Sequence, residues 1–169
     1  MKKATAFVHK DFWKNKFFDL SDPVVNLNNC NYAVNLLRKT LREYDIDLAT
    51  PDLNPPEESE FILFYDCPKG DVSKFKCKKY LLMLESSLIR PDNWLEHSAY
   101  DKIFTWDDRL VDGKKYIKLN YSLGPISVGS SLRWEEKKLC TMVCSNKFKA
   151  HPQELYIERL KAIQWFEQF

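Results

Sequence analysis

Glu85 stands where a carboxylate can act as a base. The apolar run Leu81-Leu82-Met83-Leu84 precedes it, and the small polar Ser86 and Ser87 follow. A carboxylate between an apolar wall and an open loop can have a raised pKa and serve as a general base. The same residue can instead cap a turn or pair with Arg90. Asp66 follows the apolar run 61–65, and Asp107 with Asp108 follows the run 103–106. Ligands of open α/β sheets bind outside the carboxyl ends of the strands, which makes these positions candidates. Asp66, beside Cys67 and Pro68, also suits a turn, and Asp107 and Asp108 suit the first turn of a helix.

The cationic residues add two groupings. His9, at the end of the first expected strand, is a candidate to line a site. His9, His97 and His151 have no partner at metal-ligand spacing and no adjacent Ser or Cys in a nucleophile setting, so neither a metal site nor a hydrolase triad is expected. His151, directly before Pro152, reads as the cap of the last helix. The second grouping is Ser145, Asn146 and Lys147 at the end of the last expected strand, followed by a helix carrying Arg159. Small polar residues, a cation and a helix N-terminus at one crevice can hold a phosphate. With no Gly-rich loop there, the alternative is that Arg159 lies on a solvated face.

The elements that must position these residues are legible in outline. A short strand is expected over 5–9, followed by an aromatic but aperiodic stretch, 11–29, broken at Ser21, Asp22 and Pro23. From Asn31 onward Ala33, Val34, Leu37, Leu41 and Tyr44 recur at helical spacing, with Arg38, Lys39, Arg42 and Glu43 on the wet face. A brief strand over 46–49 leads to a loop, 50–58, carrying Pro51, Pro55 and Pro56. The apolar runs 60–65, 80–84 and 102–106, the last preceded by a short helical stretch at 92–100, suit a sheet covered on both faces, as in parallel α/β folds. Residues 116–121 alternate and give one more strand near a sheet edge. The stretch 122–131, with Gly124, Pro125 and Gly129, reads as a linker.

A boundary follows from that linker: residues 1–131 form an N-terminal Rossmann-like domain, and 132–169 begin another. In the second part a strand over 138–145 leads into a helix that opens at Pro152 and runs through Leu155, Leu160, Ile163 and Phe166 to Phe169. These elements read as the opening of a second α/β unit whose remainder would lie beyond Phe169.

Bulk properties narrow the function classes. A composition 44% hydrophobic and 30% charged is that of a folded domain and argues against disorder. Lys and Arg number 26 against 24 Asp and Glu, so the chain has no overall basic footprint and no nucleic-acid partner is expected. Local lysines, such as Lys69, Lys74, Lys76, Lys78 and Lys79, suit solvated faces or anionic ligands. Cys30, Cys67, Cys77, Cys140 and Cys144 form no CxxC pair and read as reduced structural thiols. No signal peptide and no apolar run of about eighteen residues is present, so no transmembrane segment is expected. The simplest placement is cytoplasmic, with peripheral membrane attachment left open.

The chain resembles the glycosyltransferase family 10 fucosyltransferases at several of these residues. The match lies in Leu84-Glu85-Ser86 with Arg90-Pro91-Asp92-Asn93-Trp94, in Tyr100-Asp101-Lys102-Ile103-Phe104-Thr105-Trp106, and in Lys138-Leu139-Cys140-Thr141-Met142-Val143-Cys144-Ser145-Asn146. It continues in Arg159-Leu160 and Trp165-Phe166 and spans roughly residues 60–169. The resemblance implies a GT-B arrangement of two Rossmann-like domains, the first on a glycan acceptor and the second on a nucleotide sugar, usually GDP-fucose. It implies an inverting single displacement in which Glu85 is the base. Arg159, with Ser145 and Asn146, would meet the donor pyrophosphate, and His9, Asp66 and Arg90 would fall on the acceptor side. No cofactor beyond the nucleotide-sugar co-substrate is implied. The family's Gly- and Tyr-rich donor motif would come after Phe169, so the chain reads as lacking most of its C-terminal domain. The competing reading is a non-catalytic, flavodoxin-like binding or interaction domain in which the acids and Arg159 are surface residues.

Overall fold

The computed structural model describes residues 1–121, 123–125, 132–138, 142 and 151–168. The chain divides into two compact units, residues 1–126 and 127–169. Among the described residues the first unit holds one six-stranded sheet, all parallel. Its elements are β1 (Lys2–Phe7), α1 (Tyr32–Glu43), β2 (Ile46–Ala49), β3 (Phe61–Tyr65), β4 (Lys78–Met83), β5 (Lys102–Thr105) and β6 (Tyr116–Lys118). The spatial order is β2-β1-β3-β4-β5-β6. The strand order therefore reverses between β1 and β3, and the architecture is that of a Rossmann-like or flavodoxin-like α/β domain.

Period-two alternation divides the apolar residues between the two faces of the sheet. Ile62 and Phe64 of β3, Leu81 and Met83 of β4, and Ile103 of β5 pack with Val72, Phe75 and Tyr100 on one face. Ala4 and Ala6 of β1, Leu48 of β2 and Leu63 of β3 pack with Val34, Phe17 and Phe18 on the other. Both faces of the central strands are buried, which explains why these strands read as continuous apolar runs. The small Ala4 and Ala6 leave room for the rings of Phe17 and Phe18. Thr5, fully buried on β1, donates its hydroxyl proton to the Asn54 carbonyl (2.9 Å) and accepts from Ser59 Oγ (2.8 Å), so its hydroxyl is met in both roles.

Helix α1 follows the spacing read from the sequence, but its wet face is smaller than expected. Arg38 is half-buried, with its guanidinium 4.8 Å from the centre of the Phe18 ring and 3.9 Å from Asp47. Burial lowers its pKa. Tyr32, Leu36 and Leu37 are the exposed large hydrophobic residues of this helix, whose Val34 is buried. The opposite face of the sheet is covered by the segments 66–77, 84–101 and 106–115, none of which forms an α-helix. The helical stretch expected at 92–100 is two 3-10 turns, Pro91–Trp94 and His97–Ala99. Leu95 between them is extended and Glu96 is left-handed at φ 53°, which breaks the helical path. The helical layer of a three-layer domain is thus present on one face only among the described residues.

The aperiodic stretch after β1 forms 3-10 turns at Lys10–Phe12, Lys16–Phe18 and Leu27–Asn29. Strand β6 pairs only with β5, so the edge position expected for it holds, although it ends at Lys118. Beyond β6 the chain reaches the segment before α1. Gly124 donates its N–H to the Asn29 carbonyl (3.2 Å), and Asn29 Nδ2 donates to the Pro125 carbonyl (2.8 Å).

The second unit contains α2 (Tyr156–Phe166) and a 3-10 turn, Trp134–Glu136. Helix α2 starts later than Pro152. The Glu154 carboxylate accepts the N–H groups of Tyr156 and Ile157, and so caps the helix in the role expected of His151. His151 Nδ1 accepts the Gln153 N–H at 3.1 Å. Most of the strand expected over 138–145, with Cys140 and Cys144, lies outside the described residues. Among the described residues no helix is long and apolar enough to cross a membrane.

Candidate functional site

The strand-order reversal fixes where a site can form. At β1 the chain leaves toward α1 and β2, while at β3 it leaves toward β4, so nothing crosses the gap between their carboxyl ends. A cavity of about 770 Å³ opens there. Its floor and walls come from the end of β1 (Phe7 to Lys10), the aromatic segment after it (Phe12, Trp13, Phe17) and the end of β3 (Tyr65 to Lys69). Arg90 completes it from the loop after β4. Phe17 meets Phe12 edge-on at 5.8 Å and Tyr65 at 4.9 Å, which stiffens the aromatic side. The Tyr65 hydroxyl lies 3.4 Å from that of Tyr121, and burial together with this bond raises its pKa.

Three loops are clasped together beside the cavity. Asp66 is buried and takes a left-handed backbone at φ 59°, which aims its carboxylate back at the next loop. Its Oδ1 accepts the Leu84 N–H (2.9 Å), the Glu85 N–H (3.1 Å) and Asn93 Nδ2 (2.7 Å). Asn93, fully buried, accepts the Cys67 N–H on its Oδ1 at 2.5 Å. Arg90 donates to the Cys67 carbonyl. His97 braces the clasp, since its Nε2 must donate to the Asn93 carbonyl (2.6 Å), leaving Nδ1 facing the Tyr116 hydroxyl at 3.0 Å. Cys67 meets the Tyr100 hydroxyl at 3.1 Å, and burial pushes its thiol pKa up, away from thiolate chemistry.

The residues singled out from the sequence therefore fall into separate places. His9, Asp66 and Arg90 line one cavity. Asp66 has the turn geometry that its neighbours Cys67 and Pro68 suggest, and it also anchors the Glu85 backbone. The Glu85 side chain is exposed rather than set against an apolar wall, because Leu81 and Met83 point into the core under the sheet. Glu85 is not among the cavity-lining residues, and among the described residues its carboxylate has no hydrogen bond and no ion pair with Arg90. Arg159 lies in the second unit, exposed on α2, with its guanidinium 5.6 Å from the Tyr156 ring. Ser145 and Asn146 lie outside the described residues.

Asp107 and Asp108 do begin a turn, as their position suggested. Asp107 accepts Arg109 Nε (2.9 Å) and Nη2 (2.7 Å), and the Arg109 guanidinium holds its carboxyl below the usual range. Asn93, Tyr65 and the Phe12–Trp13–Phe17 wall carry the site's geometry without having been singled out. Only their convergence in three dimensions marks them. Among the described residues no group of His, Cys, Asp and Glu could hold a metal ion.

None of the family models, curated proteins or solved structures compared with this chain matches it. The site is therefore read from its own geometry: an open, aromatic-walled cavity with cations at its mouth and an unpaired carboxylate on the adjoining loop.

Proposed function

We propose that residues 1–131 form the acceptor-side domain of an inverting glycosyltransferase, and that 132–169 resemble the start of a nucleotide-sugar-binding domain in a GT-B arrangement. The donor fitting the resemblance is GDP-fucose, and the acceptor is a glycan hydroxyl. The observation that carries the reading is the clasp that fixes the Glu85 loop beside the cavity. Asp66 lines the cavity and holds the Glu85 N–H at 3.1 Å, so a base and a binding surface share one rigid support. A carboxylate free of other partners can accept the acceptor hydroxyl's proton as that oxygen attacks the anomeric carbon and the nucleoside diphosphate leaves. Aromatic rings with polar groups at the rim suit the two faces of a sugar. Arg159 would neutralise charge on the departing diphosphate.

The test is release of GDP from GDP-fucose in the presence of a glycan mixture, measured with this chain and with any reading frame that extends it past Phe169. Transfer by either supports the proposal, and the Glu85→Gln variant should then lose about 10²–10⁴-fold in turnover with donor affinity retained. Near-normal turnover in that variant removes Glu85 from the mechanism.

A second reading, a binding domain without transfer, draws on the sheet order. In flavodoxin-like folds the gap between the first and third strands holds a mononucleotide, and the same gap holds the cavity here. Ligand binding with no GDP release by any form of the protein would favour it.

A further inference from the structure

Charge around the cavity between β1 and β3 is unbalanced. Lys10, Lys69 and Arg90 line it together with His9. His9 has a partner in Asp11 at 3.0 Å. Among the described residues no carboxylate lies within ion-pairing distance of the other three. The one carboxylate that lines the cavity, Asp66, is buried and already accepts three N–H donors on Oδ1, so it is held by its own clasp. Arg90 gives one N–H to the Cys67 carbonyl, which orients the guanidinium and leaves its other donors available. The remaining wall is aromatic, and Trp13 within it is 41% exposed.

We infer that this cavity takes an acidic saccharide, whose ring lies on the aromatic wall and whose carboxylate or phosphate group is held by Arg90, Lys10 and Lys69. The saccharide rests on the glycosyltransferase reading, whereas the anionic group rests on the cavity alone. Arginine's planar fork matches the paired oxygens of either group, and two lysines add point charges that need no fixed geometry. A neutral ligand would leave three cations without a counter-charge beside a cavity it had partly desolvated. An anion supplies that counter-charge on binding and is drawn to the cavity from a distance.

The experiment is calorimetric titration of the intact chain with four probes: lactose, a disaccharide of the same size ending in glucuronate, the same disaccharide bearing a phosphate, and inorganic phosphate. The acidic disaccharides should bind at least about tenfold more tightly than lactose, the ratio expected for a charge-assisted hydrogen bond. Whichever of the two binds better identifies the anionic group. In the Lys10→Gln/Lys69→Gln variant, which alters only exposed side chains, the preference should fall several-fold, and it should fall to nearly one when Arg90→Gln is added. Arg90→Gln should act in the same direction. Equal or tighter binding of lactose, or a preference that the variant lacking all three cations keeps in full, overturns the inference. Inorganic phosphate binding as well as the phosphorylated disaccharide overturns its saccharide half. If acidic saccharides bind as expected but no form of the protein releases GDP, the transferase reading fails while the charge preference stands.

Discussion

At the carboxyl ends of β5 and β6 Asp107 and Asp108 each meet a cation, whereas at the carboxyl ends of β1 and β3 Lys10, Lys69 and Arg90 stand, among the described residues, without an acid in ion-pairing reach. Asp107 is gripped by Arg109, and Asp108 lies 2.6 Å from Lys118 Nζ, which also donates to the Trp106 carbonyl. The difference follows from strand order. β5 and β6 are consecutive parallel neighbours, so the turn that leaves the end of β5 lies beside Lys118, the last residue of β6, and Asp108 in that turn comes within its reach. β1 and β3 are neighbours in space but not in sequence, and the chain departs from them in opposite directions. What remains is an uncovered gap, walled by aromatic residues and bordered by Lys10, Lys69 and Arg90. Charges at one end serve the fold, and charges at the other are available to a ligand.

The largest effect on this contrast should come from Asn93→Ala. Asn93 is fully buried and joins Asp66 to Cys67, so its loss strands the buried Cys67 N–H and takes one of three donors from the Asp66 carboxylate. The expected cost is about 2–5 kcal/mol in urea unfolding, with faster hydrogen exchange at Leu84 and Glu85. Unchanged exchange there would mean that the clasp does not hold the Glu85 loop.

Next is Gly124→Ala. A Cβ at Gly124 would lie 2.3 Å from Tyr32 Cβ, so the segment must move and release Asn29. A loss of about 1–3 kcal/mol is expected, with faster exchange at residue 124. Full stability would show that this segment does not tie the β6 side of the unit to the cavity side.

The smallest effect belongs to Arg109→Gln. Asp107 is depressed below the usual carboxylate range chiefly by its hydrogen bond from the Arg109 side chain. Such a group contributes stability that is present above its unfolded pKa of about 3.9 and is lost as pH falls through the lower folded value. In the variant that contribution should shrink, since the Arg109 N–H and the Lys118 charge remain, and melting temperatures should differ slightly above about pH 4 and converge in stronger acid. The difference is small because the Arg109 side chain is 80% exposed. Divergence on acidification would contradict the assigned pairing.

Much of this architecture was legible because burial on both faces writes itself into the chain. The runs at 60–65, 80–84 and 102–106 became β3, β4 and β5 since their residues meet a core on either side. Helix α1 was legible from its period. The strand order was not, because parallel neighbours leave no local mark. The break at Glu96 was hidden as well, since a left-handed backbone is usually marked by Gly or Asn and here falls on a glutamate. Arg38 was misplaced because a guanidinium stacked on a ring looks the same in sequence as one in water.

At the site, His9, Asp66 and Arg90 could be picked out as polar residues at or near the ends of apolar runs. Asn93 could not be assigned its part, which exists only where three loops meet. Trp13 and Phe17 sit in an aperiodic stretch whose path is set by 3-10 turns rather than by any repeating pattern.

The central claim is that the ligand site lies at the reversal between β1 and β3. It is tested most directly by following backbone amide shifts of the intact chain during titration with the glucuronate-ending disaccharide. The account predicts saturable shifts clustered at His9, Lys10, Tyr65, Cys67 and Arg90, with Asp107 to Lys118 unmoved. Shifts centred on the β5 and β6 ends, or none at the cavity residues, would contradict it.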